Sequence, residues 1–110
     1  MKQPLELRFI GVEPTPALEA AARDKAAALD RFNPSIMSCR VTVELADRHR
    51  HQGKTFRVRI DVTVPGHEMS VDRVHDEDAY VALRDAFDDA RRQVEEAADR
   101  ARGHVKTHGS

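Results

Sequence analysis

The spacing of apolar residues predicts one long amphipathic helix over residues 76–102. Its apolar positions recur alternately three and four residues apart, which is the repeat of a single helix face. They are Tyr80, Leu83, Phe87, Ala90, Val94, Ala97 and Ala101. A helix with one apolar face is not stable alone in water. We therefore expect this face to pack against other elements of the chain.

Four further segments alternate apolar and polar residues, a pattern typical of strands with one buried face. These are residues 5–9, 39–45, 56–64 and 68–74. A second helix is predicted between the first two strands, with Thr15 as its N-cap, Pro16 at its first position and Asn33-Pro34 at its end. Residues 47–54 are predicted to form a hairpin loop. Asp76 or Asp78 is expected to cap the long helix, and Gly103 to end it.

The element order β-α-β-β-β-α predicts an α+β fold. We expect a two-layer sandwich, in which both helices pack on one face of a four-stranded sheet and the other face is open to solvent. A length of 110 residues favours a single domain. The predicted domain spans residues 1–103, and residues 104–110 are predicted to be a flexible tail.

The formal net charge is −1, so the chain as a whole is not a basic nucleic-acid binder. Residues 76–102 contain nine acidic residues and five arginines. In this segment we expect helical ion pairs such as Asp88 with Arg92. Basic residues concentrate in the loop 48–54 and on the open sheet face. On that face Arg8, Arg40, Arg57 and Arg59 indicate either cross-strand ion pairs or a phosphate-binding surface.

The sequence has no motif that indicates catalysis, so an enzyme, a cofactor and a small-molecule substrate are not expected. Cys39 lies on the apolar face of a predicted strand and is expected to be an inert core residue. His49 and His51, with Asp47 nearby, form a weak metal-binding pattern, and no metal site is expected. No apolar run reaches the roughly 18–20 residues that span a bilayer. With one cysteine and no secretory signal, we expect a cytoplasmic protein with no membrane partner.

Two sequence patterns resemble a known family. One is Thr15-Pro16-Ala17-Leu18 followed by Lys25, Leu29, Arg31 and Phe32. The other is Asp78-Ala79-Tyr80-Val81-Ala82-Leu83 followed by Arg92-Gln93-Val94. With the element order, they make the chain similar to the bacterial ribosome hibernation factors over about residues 5–102. That family includes the hibernation promoting factor and the ribosome-associated inhibitor, also called sigma-54 modulation proteins. The chain resembles the short form, because few residues follow the long helix.

The resemblance implies binding to the small ribosomal subunit and its 16S rRNA, where the family blocks the mRNA and tRNA channel under stress. It also implies that basic side chains of both helices contact rRNA phosphates. In this chain Lys25, Arg31 and Arg92 stand at positions that the family makes basic. With Arg23 and Arg91 they form the predicted rRNA-binding patch. The chain departs from the family at Ala28, Asp89 and Glu96, which stand where Lys is usual. An alternative is a diverged member that acts as a protein-interaction module through an acidic long helix. We expect a monomer or a weak dimer.

Overall fold

The computed structural model describes the backbone of residues 1–49 and 53–108, and the side chains of this set apart from 47–49, 76 and 103–108. Its elements are β1 (Glu6–Ile10), α1 (Pro16–Phe32), β2 (Ser38–His49), β3 (Gly53–Val64), β4 (His67–Asp76) and α2 (Ala79–His108). The predicted α+β fold and its element order are confirmed.

The four strands form one mixed sheet in the order β1-β2-β3-β4. β1 pairs with β2 in parallel, whereas β3 is antiparallel to both β2 and β4. A parallel pair needs a crossover connection, and α1 supplies it. The remaining neighbours follow one another along the chain and are antiparallel, so they need no crossover. Gly66 has a φ of +76° in the turn between β3 and β4, a backbone region that glycine adopts without steric cost.

The core lies between the sheet and the helices. β2 and β3 contribute Val41, Val43, Val58 and Ile60, none of which has solvent exposure. Beta-branched side chains pack well on a pleated sheet, which favours them at these positions. The helices contribute mainly alanines and leucines. The buried helix residues are Leu18, Ala22, Ala26, Leu29, Ala79, Ala82, Leu83, Ala86, Phe87, Ala90 and Val94.

Side-chain caps fix where both helices begin. Thr15 is the N-cap of α1, and its Oγ1 accepts a hydrogen bond from Leu18 N at 3.2 Å. Asp78 caps α2, because its Oδ1 accepts from Tyr80 N at 2.9 Å and Val81 N at 3.2 Å. Each cap satisfies amide groups that have no partner within the helix. Of the two aspartates predicted for α2, these bonds identify Asp78.

The apolar face of α2 differs from the prediction at both ends. Tyr80 is 48% exposed and Ala101 is also exposed, so neither belongs to the core. Ala79, Ala82 and Ala86 are buried instead. Tyr80 carries a polar hydroxyl and lies in the first turn of α2, and Ala101 lies beyond Ala97, the last described residue of α2 that packs against the core.

The ends of two elements also differ from the prediction. α2 continues through Gly103, where a stop is predicted, to His108. The division into a domain over residues 1–103 and a flexible tail over 104–110 remains a prediction. β2 and β3 extend to His49 and Gly53, so most of the predicted loop 47–54 is strand. A register shift between Leu45 and Asp47 breaks the alternation there, which explains why the strand extension was not visible in the sequence.

Candidate nucleic-acid interface

The arginines on the open face of the sheet are held in ion pairs. The strand register places Arg40 opposite Glu6 and Arg57 opposite Glu44. The nitrogen–oxygen distances are 2.9 Å for Arg40–Glu6, 3.6 Å for Arg8–Glu6, 3.8 Å for Arg57–Glu44, 3.4 Å for Arg57–Asp72 and 3.1 Å for Arg59–Asp61. Three of these pairs, Arg40–Glu6, Arg57–Glu44 and Arg57–Asp72, join neighbouring strands, and the other two lie within one strand. The interpretation of this face as ion-paired is confirmed. Each of these four arginines already has a carboxylate partner, so little positive charge is left on them to attract a polyanion.

A second surface is the interhelical groove, which we define by Lys25, Ala28 and Leu29 of α1 and Phe87, Asp88 and Arg91 of α2. Lys25 is half-buried and Arg91 is exposed. Within the described residues, neither cation is in an ion pair. The Arg91 guanidinium lies 4.3 Å from the centroid of the Phe32 ring. A guanidinium stacked on an aromatic ring keeps its edge donors available, so Arg91 is oriented but still able to bind an anion.

A third surface is the lateral groove between α2 and β4. It is lined by His67, Arg73, Asp89, Arg92, Gln93, Glu96 and Arg100. Arg100 is exposed and is in no ion pair with any described residue. The groove therefore combines three arginines with two carboxylates, and its charge depends on how these are paired.

Asp89 binds two of the arginines in the lateral groove. Arg73 Nη2 and Arg92 Nη1 each donate to Asp89 Oδ1 at 3.1 Å, and Arg73 Nε donates to Oδ2. The hydrogen bond from Arg73 is the main cause that holds the pKa of Asp89 below its ordinary value, and the charges of Arg73 and Arg92 add to it. Asp89 is therefore ionised at neutral pH.

The five basic residues predicted for rRNA binding lie on different parts of the helix layer. Lys25 and Arg91 are brought together in the interhelical groove. Arg92 lies across α2 in the lateral groove. Arg23 is on the other flank of α1, beside Leu5. Arg31 is exposed in the last turn of α1, and within the described part of the chain it has no ion-pair partner.

Sequence reasoning missed Arg73 and Arg100 and assigned the wrong partner to Arg92. Arg92 is bonded to Asp89, three residues before it, and not to Asp88 as predicted. The side of the sheet on which Arg73 lies could have been inferred from the sequence. The two-residue period that turns Met69 and Val71 toward the helices also places Arg73 on that side of β4. Arg100 follows Arg92 by two helical turns, so both lie along the same flank.

The body of α2 is less acidic than the segment 76–102 indicated. Three of the nine acidic residues, at positions 76–78, precede the first helical residue, Ala79. Residues 79–102 contain six acidic residues and five arginines. A nearly balanced helix gives little support to the alternative in which an acidic α2 binds a basic protein.

The other candidate chemistry of the sequence gives no site among the described residues. They contain no group of three or more histidine, cysteine or acidic side chains that could hold a metal ion. The side chain of His49 and the whole of His51 lie outside the described residues. Cys39 is buried, and burial, followed by the negative charge of Asp61, raises the pKa of its thiol to about 12. No described helix is both long and apolar enough to cross a membrane.

This fold agrees with the known proteins that the chain matches. A family model described as "Sigma 54 modulation protein / S30EA ribosomal protein" matches residues 5–102. The chain belongs to this family, which confirms the resemblance seen in its sequence.

Two solved structures are similar to this chain. The N-terminal domain of Protein Y from Thermus thermophilus is 30% identical, with a TM-score of 0.69, over 83% of this chain and 93% of that one. A ribosomal subunit interface protein from Coxiella burnetii is 17% identical, with a TM-score of 0.70, over 86% of this chain and 97% of that one, and supports the fold. No curated protein matches this chain closely enough to count as a relative.

Proposed function

We propose that this protein is a ribosome-associated hibernation factor that binds the small ribosomal subunit through its helix layer. Membership of the S30EA family supports binding to the ribosome. The helix layer is proposed as the binding surface because the two faces of the protein differ in how their cations are paired. The sheet-face arginines are paired with acids, whereas Lys25 and Arg91 line one groove without ion-pair partners among the described residues.

Phosphate contacts would supply most of the affinity. Lysine and arginine bind RNA by neutralising phosphates and releasing counterions, and such contacts position a protein without reading sequence. Lys25 and Arg91 are proposed as the central contacts. Arg31 on the outer side of α1 and Arg92 in the lateral groove extend the same layer, and Arg23 contacts RNA that passes the far flank of α1.

Inhibition in this proposal is steric and needs no catalytic group. The two helices lie on a sheet whose core is closely packed, so the domain behaves as a rigid body. When it occupies the channel in which mRNA and tRNA lie, it excludes them by volume. The partner is then the 16S rRNA of the small subunit, and the inhibited step is the binding of mRNA and tRNA to idle ribosomes.

Co-sedimentation with purified small subunits at low salt tests the binding surface. We expect the double variant Lys25→Glu/Arg91→Glu to bind at least about tenfold more weakly, because it replaces two attractions by two repulsions. The matched control is Arg8→Glu/Arg59→Glu, which makes the same change in charge on the open sheet face and should bind like the natural sequence. Equal losses in both variants would show that binding follows total charge and not the interhelical groove.

A ribosome gradient from starved cells, probed for this protein, tests the biological role. We expect the protein in the small-subunit or whole-ribosome fractions at low salt and its release at high salt. Its absence from all ribosome fractions at low salt would reject the proposal. Inhibition of translation in vitro, relieved in the Lys25→Glu/Arg91→Glu variant, would connect binding to the steric mechanism.

A further inference from the structure

Asp89 is placed where it competes with a ligand for the arginines of the lateral groove. Its side chain is 17% exposed and lies between Arg73 of β4 and Arg92 of α2. Both arginines are more open to solvent, with side-chain exposures of 46% and 64%. The carboxylate is thus held at the base of the groove, and the two guanidinium groups extend from it toward the solvent.

We propose that Asp89 acts as an internal substitute for phosphate, which holds Arg73 and Arg92 and so limits the affinity of the protein for RNA. This inference rests on the proposed function, because it concerns the same polyanion. Binding in the lateral groove then requires an exchange, in which an RNA phosphate replaces a carboxylate that is already hydrogen-bonded.

The geometry supports a direct competition. Arg73 donates to both oxygens of Asp89 through Nε and Nη2, the two-pronged arrangement that arginine uses for carboxylate and phosphate alike. A guanidinium engaged in this way has fewer donors left for a second anion. Arg92 gives only one bond to Asp89, from Nη1 at 3.1 Å, so it is the easier of the two to release.

Asp89 is also negatively charged at all times under physiological conditions. Because Arg73 and Arg92 hold the pKa of Asp89 below its ordinary value, the carboxylate stays ionised at neutral pH. The groove contains a second acid, Glu96, which is exposed and has no ion pair with any described residue. Glu96 therefore weakens the binding of an anion only through electrostatic repulsion. Asp89 also occupies the N–H donors of Arg73 and Arg92.

The comparison of these two acids provides the experiment. Asp89→Asn and Glu96→Gln remove the same charge from the same groove, and each variant is titrated with purified small ribosomal subunits. We expect Asp89→Asn to raise the affinity about tenfold and Glu96→Gln to raise it only about two- to threefold. Asp89→Asn should also steepen the dependence of log K on log salt by about one to two units, since two more arginines reach phosphates.

A second pair of variants tests the mechanism. In the Arg92→Gln background, Asp89→Asn should raise the affinity less than it does in the natural sequence, because only Arg73 is left to be released. The effect of Glu96→Gln should be the same in both backgrounds. Since Asp89 joins α2 to β4, each variant is checked by thermal melting. Asp89→Gln, which removes the same charge with a longer amide, replaces Asp89→Asn if the latter melts early.

The outcomes separate this inference from the proposed function. If the natural protein binds small subunits and Asp89→Asn gains no more than Glu96→Gln, Asp89 does not compete and only this inference is overturned. If none of the proteins binds at low salt, the proposed function fails as well. Binding by Asp89→Asn alone would support the competition but would reject the proposed function for the natural sequence.

Discussion

At the scale of single residues, Phe87 is the clearest link between the sequence pattern and the core. All four phenylalanines lie in the described part of the chain, and Phe87 is the one that is buried, with 6% of its surface exposed. It belongs to the apolar face of α2 and also lines the interhelical groove beside Arg91. The same side chain therefore stabilises the helix against the core and supports the proposed binding surface.

Phe87→Ala is expected to lower the free energy of unfolding by about 3–5 kcal/mol, because it removes a buried ring and leaves a cavity. The control is Tyr80→Ala, which makes a similar change on the same helix at a position that is 48% exposed. That variant should cost about 1 kcal/mol or less. Urea unfolding followed by circular dichroism measures both, and similar losses in the two variants would contradict the assignment of Phe87 to the core.

Cys39 provides a prediction on pH. Burial raises the pKa of its thiol from 9.0 to about 12, so the thiol ionises in the unfolded chain at a pH where it stays protonated in the folded one. The contribution of Cys39 to stability is then complete below pH 9 and is lost as the pH rises toward 12. Between pH 8 and 10, the stability difference between the natural protein and Cys39→Ala should shrink by about 1 kcal/mol. Urea unfolding at several pH values measures it, and a constant difference would show that the thiol is not desolvated.

At the scale of elements, the first turn of α2 depends on one side chain. Glu77, just before the cap, has a φ of +65°, an uncommon conformation for a residue other than glycine. Its N–H donates to the carbonyl oxygen of Lys54 at 2.7 Å, which ties the turn to β3. Asp78 then accepts hydrogen bonds from the first free amides of the helix. The direction in which α2 leaves the sheet, and hence the position of both grooves, is set at these two residues.

Asp78→Ala should therefore destabilise the protein by about 1 kcal/mol, the usual cost of losing an N-cap. Asp78→Asn keeps a side-chain oxygen at the same place and is expected to be nearly neutral. Thermal melting of the two variants gives the comparison. If both lose the same stability, the negative charge near the helix N-terminus is what matters, and not the capping hydrogen bonds.

The existence and order of the helices and strands could be predicted from the sequence better than their ends or the ion-pair partners of their side chains. The period-two pattern of β3 and the capping signal at Thr15 are local, and local patterns identified the six elements in the right order. The end of β2 was missed because a bulge near Ala46 interrupts the alternation. The pairing of Arg73 with Asp89 was missed because it joins residues 16 positions apart in different layers. Such a contact depends on how α2 crosses β4, which no local pattern specifies.

At the scale of the whole molecule, charge placement decides function more than total charge. The formal net charge of −1 would argue against RNA binding if the charges were spread evenly. In the fold, the arginines on the open face of the sheet are paired with acids. On the helix layer, several cations are in no ion pair with any described residue. A protein of this kind gains little from long-range attraction and must rely on a few contacts at short distance.

This distribution predicts a measurable salt dependence for binding to small subunits. Five helix-layer cations are in no ion pair with any described residue: Arg23, Lys25, Arg31, Arg91 and Arg100. Each phosphate contact contributes about 0.7–0.9 to the slope of log K against log salt. A slope of about 4 is expected, so that raising the salt from about 50 to about 200 mM weakens binding roughly 130- to 500-fold. Titrations at constant magnesium measure this, and Lys25→Gln/Arg91→Gln should reduce the slope by about 2. A slope near zero would mean that the interface is not built on phosphates, whereas a much steeper one would mean that Arg73 and Arg92 also bind RNA despite Asp89.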